Sequence, residues 1–276
     1  DKDLETRVLE STRRAIVDQI QVGIDLLVDG QVRNDFDLIF ASSIPGFSMG
    51  AMGYEITSTV KPSETPITVK DYLLAQSFST NREFKAHITG PFTLAQNAMV
   101  STESPYESRN DPRLIMDIAH ALVAEVHFLV KSGAKLIQID EPVLSNNIDL
   151  ELAIKAMRII VEEGEIPLPA LHACSNVAPI LKSLFINGPV KMISLDAKIL
   201  GDNELSDINK KYLKACGVQL GLGIINVGSD QIEKKEILQF TLDQYIARFG
   251  DENIWAIMPS CGMRHLPHHV ALEKLK

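Results

Sequence analysis

The chain has 276 residues, 45% of them hydrophobic, which is enough for one large domain with a substantial core. Its 36 acidic residues outnumber its 27 basic residues, and the net charge of -9 with no basic cluster argues against a nucleic-acid partner. An odd number of cysteines, 3, argues against a disulfide framework, and no apolar run is long enough to cross a bilayer. We therefore expect a soluble, cytoplasmic protein without a membrane partner.

Strand-like and helix-like segments alternate along the chain. Seven apolar runs read as strands: GIDLLVDG, EFKAHITG, AKLIQID, LPALHAC, VKMISLD, VQLGLGIINV and NIWAIMPS. Helical periodicity marks the stretches 4–26, 113–131, 150–163, 177–185, 207–215 and 235–249. Repeated strand-then-helix units in a chain of this size predict an α/β fold, a (β/α)8 TIM barrel in a single domain over residues 1–276.

Two features depart from a regular barrel pattern. The chain opens directly on the helix at 4–26, so the first barrel strand is expected to be absent from this sequence. The segment 36–68 contains SSIPGFSMGAMG and KPSETP and is poor in helical periodicity. We interpret it as a loop-rich insertion, because long ordered loops of this composition interrupt regular elements.

Three soft metal ligands follow apolar runs. His172 and Cys174 lie in LHACSN, and Cys261 lies in MPSCGM. Side chains two residues apart on a strand point to the same face, and a distant cysteine can complete a tetrahedral zinc shell with one open position. Buried cysteines are also common in protein cores, so spacing alone leaves both interpretations open. The strand-end positions favour a zinc site, because active sites of parallel α/β folds lie there.

Five motifs resemble a known family. ITGPFTL, GAKLIQIDEP, LHAC, MISLDAK and WAIMPSCGM occur in the order and at roughly the spacing of the catalytic C-terminal barrel of cobalamin-independent methionine synthases. These enzymes belong to a superfamily of zinc-dependent thiol alkyltransferases. The resemblance runs from about Gly23 to the C-terminus and is strongest to the short core methionine synthases of archaea and anaerobic bacteria.

The resemblance implies a zinc-dependent thiol S-methyltransferase with a defined metal site. His172, Cys174 and Cys261 match the family's zinc ligands, and Asp196 stands where the family carries a glutamate as fourth ligand. The shorter Asp196 can bind zinc through oxygen and leave when a substrate thiolate arrives, or it can simply cap the following segment. Coordination to zinc would deprotonate the thiol of homocysteine and make it a nucleophile.

The resemblance also implies residues that bind the substrate. Asp140 would contact the amino group of homocysteine, so we name Asp140 and Asp196 as the candidate catalytic residues. Glu141 and Gln31 are further substrate-binding candidates, and Gln31 replaces a glutamate of the family. A neutral amide can accept the same hydrogen bond from an ammonium group but lacks the charge. Loop support or helix capping stays an alternative for Asp140 and Glu141.

One difference from the family bears on the methyl donor. Folate-dependent synthases carry an Asp and a proton-shuttling His in a DIHS stretch, whereas this chain reads NVGS, with Asn226 and Gly228 at those positions. Tetrahydrofolate needs a proton to leave, and cob(I)alamin does not. We therefore predict that the donor is a methylcorrinoid, either methylcobalamin or a corrinoid protein partner, and that the product is methionine.

Three alternatives stay open at this stage. A zinc methyltransferase acting on coenzyme M would use the same His-x-Cys and distant Cys, although a sulfonate substrate would favour a cation over Asp140. A folate-dependent methionine synthase half would need a separately encoded partner barrel. A catalytically silent homologue that binds a corrinoid protein would hold zinc without transferring methyl groups.

Overall fold

The computed structural model describes residues 2–33, 35–79, 81–145, 147–201 and 203–276. Its backbone divides into two compact units, one of residues 1–140 and 151–168 and the other of residues 141–150 and 169–276. Within the described ranges, no helix combines the length and the apolar character that a membrane crossing requires. The single domain over 1–276 and the cytoplasmic location stay predictions.

The first unit contains parallel strands alternating with helices. Its helices are α1 (Lys2–Gln21), α2 (Leu38–Ala41), α3 (Val69–Ser77), α4 (Pro91–Asn97), α5 (Pro112–Lys131) and nearly all of α6 (Leu150–Glu163). Its strands are β1 (Leu26–Leu27), β2 (Phe47–Gly50), β3 (Gly53–Ile56), β4 (Glu83–Thr89), β5 (Met99–Val100) and β6 (Leu136–Asp140). Strand β4 pairs in parallel with β1 and β6, while β3 pairs antiparallel with β2 and in parallel with β5.

Strand β4 illustrates how alternation separates an apolar face from a polar one. Its apolar side chains are buried on one face: Phe84, Ala86 and Ile88. Lys85, His87 and Thr89 occupy the other face. Strand β6 lies in register beside it, with His87 opposite Gln138 and Thr89 opposite Asp140. The two strands therefore present neighbouring rows of polar side chains.

The second unit repeats the same alternation. Its elements are β7 (Leu168–Ala173), α7 (Leu181–Asn187), β8 (Met192–Asp196), α8 (Lys210–Cys216), β9 (Gln219–Ile225), α9 (Lys235–Phe249), β10 (Ile254–Pro259) and α10 (His268–Leu275). Strand β8 pairs in parallel with β7 and β9, and β9 pairs in parallel with β10. The carboxyl ends of these four strands therefore lie along one edge.

A glycine permits close approach of these strands near that edge. A Cβ atom on Gly223 would lie 2.6 Å from Cα of Ser260 and 2.7 Å from the carbonyl oxygen of Leu195. Both distances are well below normal contact distances, and both neighbours are backbone atoms that cannot rotate away. Glycine at 223 therefore keeps β9 close to the segments that carry Asp196 and Cys261.

The structure confirms the seven predicted strands, and the helices at 150–163 and 235–249 have the predicted bounds. The first helix is shorter than predicted, because it ends at Gln21 rather than at 26. Gly23 adopts φ +84°, and the amide of Ile24 donates to the carbonyl of Gln19 at 3.0 Å, closing the helix in a left-handed cap. Leu26 then begins β1.

The segment 36–68 contains more regular structure than its composition indicates. It includes α2 and the antiparallel hairpin of β2 and β3, both of which the search for helical periodicity missed. Further along, the amide of Val60 donates to the hydroxyl of Tyr106 at 2.9 Å, and that hydroxyl donates to Asp117 at 2.7 Å. These hydrogen bonds attach the segment to the rest of the first unit.

A buried carboxylate holds the end of this segment. Glu125 on α5 is 2% exposed and accepts hydrogen bonds from the amide of Ile67 at 2.7 Å and from the amide and hydroxyl of Thr68 at 2.8 and 2.6 Å. Burial raises the pKa of Glu125, although the three hydrogen bonds oppose that shift. The charge is thus stabilised by dipoles that converge on it.

We expect Glu125→Ala to lower the free energy of unfolding by about 2 to 4 kcal/mol, because it leaves the half-buried amide of Ile67 and the buried amide and hydroxyl of Thr68 without their acceptor. Urea unfolding followed by circular dichroism measures this change. Glu163→Ala, at an exposed position, serves as the control and should stay within about 0.5 kcal/mol of the parent. Equal effects of the two substitutions would contradict the role of Glu125 as the hydrogen-bond acceptor that holds the end of this segment.

Candidate metal centre and active site

The second unit brings together three metal-ligating residues that are distant in the sequence. His172 lies in β7, Cys174 follows that strand directly, and Cys261 follows β10. Both strands belong to the same parallel set and end at the same edge. Because His172 and Cys174 are two residues apart, their side chains point to one face of the extended chain.

The geometry and the chemistry of this cluster fit zinc. One ligand atom from each of His172, Cys174 and Cys261 lies within 4.8 Å of the other two, and the two sulfur atoms are 3.2 Å apart. With zinc–sulfur bonds of about 2.3 Å, two thiolates on a tetrahedral zinc ion lie about 3.8 Å apart, so the two sulfur atoms would need to separate by only about half an ångström to hold the metal. A set of one imidazole and two thiols is also the donor type that zinc prefers.

The cluster favours the thiolate form that binds metal. A hydrogen bond with Cys174 and a second with His172 lower the pKa of the Cys261 thiol to about 4, while partial burial opposes the shift. His172 and Cys174 are half-buried and Cys261 is exposed. A ligand that already favours its ionised form binds a cation without first losing a proton at neutral pH.

Ser194 orients the histidine, and the sequence analysis missed it. Its hydroxyl is fully buried on β8, donates to the carbonyl of Leu171 at 3.2 Å and lies 3.1 Å from Nδ1 of His172. Donation by the hydroxyl to Leu171 is compatible with the tautomer in which Nδ1 donates to Ser194, and that tautomer leaves the Nε2 lone pair for a metal. A lone serine in the apolar strand MISLD was the available signal.

Asp196 lies at the end of β8 and is not one of the three clustered residues. Its Oδ1 accepts a hydrogen bond from the amide of Lys198 at 3.0 Å, which is the local capping role considered as an alternative above. Its role as fourth zinc ligand stays a prediction.

The proposed substrate-binding residues lie at the ends of other strands. Asp140 ends β6 in the first unit, and Gln31 follows β1 there in a left-handed conformation with φ +48°. Such a conformation is uncommon for residues other than glycine and often marks functional sites. Glu141 belongs to the second unit, is 1% exposed, and donates its amide to the carbonyl of His172 at 2.9 Å. Glu141 therefore supports the strand that carries a cluster residue.

Comparison with known proteins identifies the family. The family described as "Cobalamin-independent synthase, Catalytic domain" matches residues 1–276 of the chain. The chain belongs to this family. It is 36% identical over 280 residues to a methionine synthase of Methanocaldococcus jannaschii, an alignment that covers 95% of this chain and 84% of that protein. A methionine synthase of Saccharolobus solfataricus is 30% identical over 285 residues, covering 99% and 83% respectively.

Solved structures support the fold. The B12-independent methionine synthase from Shewanella sp. W3-18-1, determined in complex with selenomethionine, has a TM-score of 0.82 and 22% identity, covering 100% of this chain and 86% of that chain. A putative vitamin-B12 independent methionine synthase from Listeria monocytogenes has a TM-score of 0.77 and 16% identity, covering 98% and 84% respectively. The predicted α/β barrel class is confirmed.

The predicted family is confirmed, and so is the predicted similarity to its short archaeal members. The class of enzyme is confirmed as well, a zinc-dependent thiol S-methyltransferase of the methionine synthase type.

The predicted methyl donor is wrong. A cobalamin-independent family does not use methylcobalamin or another methylcorrinoid, so neither that cofactor nor a corrinoid protein partner is expected. Gly228 does not exclude a folate, because the proton needed by a leaving amine can come from a source other than residue 228.

We expect Ser194→Ala to weaken zinc binding about tenfold or more, because the imidazole loses the acceptor that sets its tautomer. Competition with a chelating dye measures the zinc dissociation constant. Ser206→Ala, at an exposed position, provides the matched control and should bind zinc as the parent does. If both variants retained the parent affinity, Ser194 would have no part in orienting His172.

Proposed function

We propose that the chain transfers a methyl group to the thiol of homocysteine, forming methionine, and that the donor is a methyltetrahydrofolate. The observation that carries this proposal is the cluster of His172, Cys174 and Cys261 in a chain that matches a synthase catalytic domain over its whole length. The name of the archaeal relatives supports the product. So does the selenomethionine in the Shewanella protein, since selenomethionine is methionine with selenium in place of sulfur.

We propose His172, Cys174 and Cys261 as zinc ligands, with Asp196 as a fourth that yields to the substrate. Zinc, when bound, would lower the pKa of a substrate thiol so that its nucleophilic thiolate form prevails at neutral pH. The lowered pKa of Cys261 favours the thiolate form of this ligand, which is the form that binds a metal ion. Ser194 keeps the imidazole of His172 in the tautomer that can bind a cation.

The amino group of homocysteine requires an anion, and Asp140 is the residue we assign to it. A carboxylate and an ammonium group form a charge-assisted hydrogen bond, which selects an amino acid over a plain thiol. Gln31 is assigned to the same ammonium as a neutral acceptor. Glu141 adds a buried acidic group directly after Asp140.

The proton balance of the reaction accommodates a glycine at 228. Methyl transfer forms a carbon–sulfur bond and breaks the bond between the methyl carbon and N5 of the folate. The electron pair of the broken bond stays on N5, which then takes up a proton. The thiol has released one proton, so the overall reaction is balanced, and solvent can carry the proton between the two.

Turnover of the zinc-loaded protein tests this function. Homocysteine with methyltetrahydrofolate carrying one or three glutamates should yield methionine, and chelation of zinc should abolish the product. Cys174→Ala should lower kcat/KM by about a thousandfold or more, since the metal site loses a ligand. Cys216→Ala, at a half-buried cysteine outside the cluster, is the matched control and should retain activity.

Each contrary result has a defined meaning. Methionine formed from methylcobalamin but not from either folate would overturn the donor. Methylation of coenzyme M in preference to homocysteine would overturn the acceptor. Bound zinc without turnover on any of these pairs would contradict the proposed activity and indicate a catalytically silent homologue.

A further inference from the structure

A series of hydrogen-bonded polar side chains leads to Asp140 within the first unit. Lys85 on β4 donates from Nζ to Oε1 of Gln138 at 2.7 Å, and Gln138 on β6 donates from Nε2 to Oδ1 of Asp140 at 2.6 Å. Gln138 and Asp140 are two residues apart on one strand, so they share a face. The parallel pairing of β4 with β6 brings Lys85 to the same row.

This order of residues determines which way the amide of Gln138 points. An amide can present either its oxygen or its NH₂ group, but an ammonium group has only donors. Lys85 must therefore face Oε1, and this directs the NH₂ group of Gln138 to Asp140. Gln138 is 5% exposed, so little solvent is available to support the opposite orientation.

The orientation of the amide also decides what Asp140 faces, which is an N–H donor of Gln138 rather than its carbonyl oxygen. A carboxyl group that receives an N–H donor is stabilised as the carboxylate, whereas one facing a carbonyl oxygen is stabilised when protonated. Burial lowers the pKa of Lys85, and the negative charge of Asp140 opposes that shift. Gln138 thus links the amino group of Lys85 to the carboxyl group of Asp140 through two consecutive hydrogen bonds.

We infer that Lys85 and Gln138 are positioning residues that present Asp140 as an ammonium-binding carboxylate, and that they thereby give the enzyme its preference for amino thiols over plain thiols. This inference rests on the proposed function, in which Asp140 receives the substrate ammonium. Among the hydrogen bonds of the described residues, Gln138 uses Oδ1 of Asp140 and none uses Oδ2. The substrate ammonium would therefore approach Oδ2.

A purely structural role explains the polar pair of Lys85 and Gln138 less well. A partly buried ammonium group and a buried amide are expensive to dehydrate, and apolar side chains of similar volume fill the same space at lower cost. The series of hydrogen bonds also ends on Asp140, the residue assigned to the substrate, rather than on a backbone group that needs a hydrogen-bond partner. Its polarity is therefore explained by the ligand that Asp140 must bind.

The test compares two thiols that differ only in the amino group, homocysteine and 4-mercaptobutanoate. The parent enzyme should prefer homocysteine in kcat/KM. Lys85→Met keeps the length of the side chain but removes the donors, and Gln138→Glu keeps the contact with Lys85 but removes the donor to Asp140. Each variant should raise KM for homocysteine about tenfold or more with kcat nearly unchanged, and should leave KM for 4-mercaptobutanoate as in the parent.

Lys135→Met, at an exposed position just before β6, is the matched control and should leave both thiols unaffected. Zinc content and the free energy of unfolding are measured for every variant. A parent enzyme that does not distinguish the two thiols would refute the role of Asp140 in the proposed function. A parent preference that persists in both variants would refute the present inference alone. Equal losses for both thiols would also overturn it, because they would indicate a structural role.

Discussion

The parallel register of β7, β8, β9 and β10 is the constraint on which the metal centre depends. His172 and Cys174 at the end of β7 and Cys261 after β10 meet because parallel strands end along a common edge. The same register places Ser194 opposite His172, so the pairing that aligns the strands also supplies the hydrogen bond that orients the imidazole. Backbone pairing and metal chemistry are thus coupled, and a shift of register by one residue would turn these side chains to the opposite face.

The first unit uses a similar arrangement for a different purpose. The polar rows of β4 and β6 contain side chains of opposite charge separated by one amide, and the end of that row is Asp140. In the second unit a hydroxyl fixes the tautomer of His172, and in the first an ammonium group fixes the orientation of Gln138. In both cases a residue that is not assigned to metal or substrate orients a polar group: Ser194 orients the imidazole of His172, and Lys85 orients the amide that donates to Asp140.

The residue at position 228 alone does not determine the methyl donor. Gly228 in place of a histidine removes one acid that could protonate a departing folate, yet the chain belongs to a cobalamin-independent family. A proton, unlike a metal ion, needs no fixed set of ligands, because solvent or any nearby acid can carry it. The absence of one shuttle residue therefore constrains the donor far less than the presence of two thiols and an imidazole constrains the metal.

Much of the architecture can be predicted from the local spacing of apolar residues, because strand and helix periodicities depend on neighbouring residues in the sequence. The seven parallel strands, the helices at 150–163 and 235–249 and the His-x-Cys pair with its distant cysteine all came from the sequence alone. The end of α1 at Gln21 and the hairpin within 36–68 were decided by a left-handed glycine and by pairing that the helical pattern does not encode. Ser194, Lys85 and Gln138 acquired roles only in the folded chain, because a hydrogen-bond partner on another strand is set by register and not by sequence distance.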